Sequence, residues 1–170
     1  MATAVQRSIE VFRVRPVIFW VIIFAALVFQ AVLPLKIPLA RLFDFPLLVT
    51  VYFALLRRNK VFGIALGTGM GLVQDALSHG FIGILGMTKA LVGYFGAAAS
   101  VKFDFDRILP RILLVGILVA VHNLFLQGLR HGLLEYPPPF VPLDLVSAVL
   151  VNVALGLILF LLFDRFRKPA

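Results

Sequence analysis

Two opposite charges, Asp75 and Lys89, stand inside otherwise apolar sequence. They fall in the neighbouring runs Val61–Leu77 and Phe81–Ser100, joined by a tight turn at Ser78-His79-Gly80. A charge at the centre of a bilayer costs at least about 2.5–3.5 kcal/mol on insertion scales, so neither group is expected to face lipid alone. Three chemistries suit such a pair: a structural ion pair, a proton or ion relay, and the wall of a ligand cavity. Helical rise separates the two in depth by about 8–10 Å. A lysine stem covers most of that distance. The expectation is an intramembrane ion pair, Asp75 with Lys89, clasping two helices.

The remaining polar side chains in apolar runs are Gln30, Thr50, Gln74, His122, Asn123, Gln127 and Asn152. Each suits an interhelical hydrogen bond worth about 0.6 kcal/mol on average. His122 has no second histidine at helical spacing and no carboxylate cluster, so no metal site is expected. Asp44 and Asp144 lie near helix starts, where a carboxylate complements the positive dipole end. There is no HExxH, no GxSxG and no phosphate-cradling GxxxxGK[ST] in the chain. A catalytic site, a cofactor and thiol chemistry are therefore not expected; the chain has 0 Cys.

The elements that position these residues are membrane helices. Hydrophobic residues make up 62% and charged residues 14% of the 170-residue chain, and its mean hydropathy is +1.06. That much apolar surface requires lipid as solvent. Six runs are read as spans of one membrane domain: Pro16–Leu35, Phe43–Leu56, Val61–Leu77, Phe81–Ser100, Ile108–Leu129 and Val141–Phe163. The second and third are short for a span of roughly 17–25 residues. The first is as long as a full span and lacks a small-residue cleavage site, so it is not read as a signal peptide.

The net charge of +8 would suggest nucleic acid in a soluble protein. Here the basic residues sort by side instead. With the N-terminus inside, 12 of the 16 Lys and Arg are cytoplasmic, and only Lys36, Arg41 and Arg130 face outward. The positive-inside rule puts both termini in the cytoplasm, and no nucleic-acid partner is expected. The basic face serves orientation, holds anionic lipid at about 1 kcal/mol per residue, or steers an acidic partner. The outer segment Arg130–Pro142 contains Tyr136-Pro137-Pro138-Pro139, which proline keeps extended. It is either a rigid connector or a docking surface.

Gly63, Gly67 and Gly71 recur every fourth residue on one helix face, with Gly69 beside them. Gly83, Gly86, Gly93, Gly96 and the run Ala97–Ser100 repeat the theme in the next run. Small faces let backbones approach closely, so they either pack the bundle internally or receive a partner's helix.

The order of these features resembles the bacterial rod-shape-determining MreD family. The resemblance rests on Phe43-Asp44-Phe45-Pro46 opening the second run, on Gly71-Leu72-Val73-Gln74-Asp75 closing the third, and on the glycine-rich fourth run through Tyr94. The family more often places proline before the aspartate; here Asp44 precedes Pro46. The resemblance implies a six-helix fold similar to the substrate-binding subunits of energy-coupling-factor transporters, with a cavity opening outward. It implies a non-enzymatic scaffold in the bacterial cytoplasmic membrane. The implied partners are an MreC-like single-span protein, the actin-like MreB filament, a SEDS glycosyltransferase and a class B penicillin-binding protein. The implied role is side-wall peptidoglycan synthesis and regulation of cell shape. The competing reading is a small-molecule-binding transporter subunit with a cavity around Asp75, Lys89 and His122.

Overall fold

The computed structural model describes residues 12–78, 81–103, 105 and 107–169. His79 and Gly80 of the expected turn, and Arg7 of the basic tail, lie outside these. Helices α1 (Pro16–Lys36), α2 (Phe45–Arg57), α3 (Lys60–Leu77), α4 (Ile84–Lys102), α5 (Ile108–Leu133) and α6 (Pro142–Asp164) follow in order. A 3-10 helix, Pro38–Leu42, leads into α2. Two three-residue strands, β1 (Phe12–Val14) and β2 (Arg167–Pro169), pair antiparallel. They bring the two ends of the described chain to one side of the bundle.

Five stretches are long and apolar enough to cross a membrane: α1, Leu39–Arg57, α4, α5 and α6. The protein is a helical, multi-pass membrane protein on that ground. Helix α3 is not among the five, because its glycines, Gln74 and Asp75 dilute its hydropathy. Helix α5 runs four residues past the expected Leu129, and α4 starts at Ile84 rather than Phe81. Gly83 ends the turn before α4 with φ 107°, a left-handed value that glycine adopts without strain.

Helix α2 is the central pillar. Every residue from Pro46 to Ala54 is buried. Its aromatic residues lock the helices around it: Phe53 meets Phe19 of α1 at 4.7 Å between ring centroids, and Tyr52 meets Phe160 and Phe163 of α6 at 5.2 Å each. Helices α1, α5 and α6 turn long apolar faces outward, including Trp20, Phe24, Leu113 and Leu150. In lipid such faces need no cover.

The α3–α4 contact is closest of all. A Cβ added at Gly63 would fall onto the Gly93 backbone, one at Gly67 onto the Lys89 carbonyl, and one at Gly71 onto the Leu85 carbonyl. The glycine ladder is therefore filled by α4, and these faces are internal packing surfaces. Gly86 sits against the Leu72 side chain, while Gly69 has open space.

Candidate functional site

Helices α1, α4, α5 and α6 each send a polar residue to one place, the start of α2. Helix α2 has 13 residues, about 20 Å of rise, and its first turn is buried from Pro46 onward. Asp44 is the N-cap there, and its Oδ1 accepts the Leu47 amide at 2.9 Å. Its Oδ2 accepts the Lys89 ammonium at 2.6 Å. Lys89 is 0% exposed. His122 of α5 brings Nε2 to 3.5 Å from the same oxygen.

The backbone around Asp44 is clamped from two sides. Asn152 of α6 accepts the Asp44 amide at 2.9 Å and donates to the Leu42 carbonyl at 2.7 Å. Gln30 of α1 donates to the Phe43 carbonyl at 3.1 Å and accepts the Phe45 amide at 3.0 Å. These amide side chains satisfy backbone groups that a helix entrance leaves open. They also hold the backbone on both sides of the residue whose carboxylate meets Lys89.

Lys89 thus pairs with Asp44, which corrects the expectation of an Asp75–Lys89 pair. The carboxylate of Asp75 is engaged elsewhere. Its Oδ2 accepts amides of Gly83 at 2.8 Å, Leu85 at 3.1 Å and Gly86 at 3.4 Å. The first turn of α4 has donors without intrahelical partners and the positive end of its dipole. Gly71, one turn before Asp75, lets the two backbones meet and delivers the carboxylate to those donors. Lys89 lies further along α4, and its ammonium meets Asp44.

A cavity of about 540 Å³ opens beside the Asp44 cluster. Asp44, Gln74, His122 and Asn152 line its depth, with Arg41, Arg130 and Asp144 also in its wall. The Pro138–Val141 segment walls it too, and Gln127 holds that segment by donating to the Pro138 carbonyl at 2.8 Å. The proline run is therefore the wall of a chamber as well as a connector. Two buried polar atoms of the lining, His122 Nδ1 and Gln74 Oε1, have no hydrogen-bond partner.

The cluster offers hydrogen bonds and charge. The Ser78 hydroxyl lines the chamber but donates to the Asp75 carbonyl at 3.2 Å. Among the described residues no group of three His, Cys, Asp or Glu side chains gathers that could hold a metal ion.

The sequence points to Lys89 and Asp75 as buried charges, but it does not reveal Asp44 as the partner. One signal was available: the run Phe43–Leu56 is shorter than the roughly 17–25 residues of a full span, which suggests that its first residues start below the surface. Comparison of the chain with protein-family models, curated proteins and solved structures finds no match.

Proposed function

We propose that the chain is a non-enzymatic scaffold of the MreD kind, in a bacterial cytoplasmic membrane, serving side-wall growth and cell shape. One observation carries this reading. The residues on which the resemblance rests, Asp44, Pro46, Gly71 and Asp75, all serve to join helices. Asp44 caps α2 and holds Lys89, and Pro46 sits in the first turn of α2. Gly71 admits the α4 backbone, and Asp75 caps α4. Buried charges used in this way hold helices together, which suits a rigid support.

On this reading all six helices cross the bilayer. Pairing of β1 with β2 favours an even number of crossings, which α3 completes, and the basic residues favour cytoplasmic termini. The partners are an MreC-like single-span protein and, through it, an MreB-like filament, a SEDS glycosyltransferase and a class B penicillin-binding protein. The outward apolar faces of α1, α5 and α6 offer room for a partner's helix. Anionic lipid holds the basic cytoplasmic face.

The test has two arms. Depleting the protein in a rod-shaped host is expected to round the cells; rods that persist would overturn the reading. Affinity purification from native membranes is expected to bring down a single-span coiled-coil protein.

The chamber favours a second reading, a small-molecule-binding transporter subunit. Its volume lies within the roughly 300–1,000 Å³ of small-ligand sites. Copurification with a transport ATPase, in place of a single-span partner, would select it.

A further inference from the structure

Beside the chamber at Asp44 lies a second space of different character. A groove of about 390 Å³ runs between α1 and α3, with Leu27, Ala31, Pro34, Leu35 and Leu77 in its walls. The two spaces share Gln30, Arg41, Gln74 and Ser78. A polar chamber and an apolar groove therefore meet at one junction. Leu35 and Leu77, at the groove, are 84% and 51% exposed, so the groove opens to the outside of the bundle.

The chamber has bonding capacity that the fold does not use. Arg41 and Arg130 make no ion pair among the described residues. The Asp44–Lys89 pair is neutral as a unit, and Asp144 supplies one negative charge against the two guanidinium groups. With the buried Lys89 behind the wall cancelling Asp44, the site carries one net positive charge, which favours an anion, and guanidinium favours a phosphate. His122 is 3% exposed, and its unpartnered Nδ1, with Gln74 Oε1, is suited to hydroxyl groups. A soluble anion would leave the apolar groove empty; an amphiphile fills both spaces.

We propose that this composite site holds an anionic phospholipid. Its phosphate lies on Arg41 and Arg130, its headgroup hydroxyls face His122 and Gln74, and one acyl chain occupies the α1–α3 groove. This lipid is distinct from any held by the basic residues at the other end of the bundle, and its binding does not depend on the scaffold reading.

The experiment is native mass spectrometry of the full chain released from detergent. It is titrated with phosphatidylglycerol or phosphatidylcholine, with glycerol 3-phosphate as a soluble competitor. Phosphatidylglycerol is expected to bind on the order of tenfold more tightly than phosphatidylcholine. The Arg41→Gln/Arg130→Gln variant is expected to lose that preference. Ala31→Phe, which fills the groove, is expected to weaken phosphatidylglycerol binding about tenfold. Leu150→Phe on the exposed face of α6 is expected to leave it unchanged. Equal binding of the two lipids overturns the proposal. So does full displacement by glycerol 3-phosphate with Ala31→Phe unaffected, which would mark a soluble-anion site. Circular dichroism checks folding; should the arginine variant unfold, the Ala31→Phe and competitor results still decide.

Discussion

Two carboxylates sit at helix starts in this bundle, and they are satisfied in different ways. Asp75 of α3 reaches across to the first turn of α4 and takes backbone amides alone. Asp44 caps its own helix, holds a lysine that is wholly enclosed, and stands against a chamber. Asp75 is 2% exposed as a residue, whereas the Asp44 side chain is 16% exposed. Full enclosure does not require a cation when a helix end supplies several oriented donors. The lysine instead pairs with Asp44. The Asp75 joint is a pure fastening, and the Asp44 joint is both fastening and wall.

The difference can be broken most severely at Asp44. Asp44→Ala would leave Lys89 enclosed without a partner, and loss of one member of a buried pair costs about 3–5 kcal/mol. Unfolding in detergent micelles should show it, and adding Lys89→Met should recover most of the loss. A double-mutant cycle sharpens the point. Asp44 and Lys89 should couple strongly, and Asp75 and Lys89 should not; strong coupling of the second pair would restore the clasp expected from sequence.

A step smaller lies the close approach that delivers Asp75. Gly67→Ala sets a methyl onto the Lys89 carbonyl, and overpacking of this kind costs about 1–3 kcal/mol. Gly69→Ala, which meets nothing within 4 Å, should be nearly silent in the same melting assay. Gly67→Leu should likewise exceed Gly156→Leu, whose new Cβ meets the flexible ends of Leu48 and Val115. Equal melting temperatures would mean that the ladder is not special.

Asp75→Asn keeps one acceptor oxygen but loses the charge opposite the α4 dipole. A loss of about 1 kcal/mol is expected, in line with other helix caps. The smallest effect is Gln30→Leu, about 0.6 kcal/mol as an interhelical polar contact. Its signature should be local, as faster hydrogen exchange at Phe45 rather than a lower global stability.

The helices are legible in the sequence because lipid demands long apolar runs, and because Asp44 and the proline segment ending at Pro142 punctuate them. The glycine ladder is legible as a close-contact face, but its occupant is not. Whether α4 or another protein fills it depends on how the Gly83 turn directs the chain. Lys89 is legible as a charge needing a partner. Which carboxylate answers depends on the depth at which the 3-10 helix releases α2, a tertiary quantity that spacing does not encode. Gln30 and Asn152 are likewise visible as polar residues, while their targets, the carbonyls and amides beside Asp44, are backbone atoms that look alike everywhere in a sequence. The chamber is empty space between elements and has no residue pattern of its own.

The neutrality of the Asp44–Lys89 unit has an electrical meaning. A dipole held across a short bond does little work against a membrane potential, whereas a full elementary charge crossing it exchanges about 2.3 kcal/mol per 100 mV. The wild-type bundle should therefore be indifferent to voltage at this depth. Removing either partner's charge would install a voltage sensor where none was, and the stability of Asp44→Ala or Lys89→Met in energised vesicles should then follow the potential, with opposite signs for the two variants.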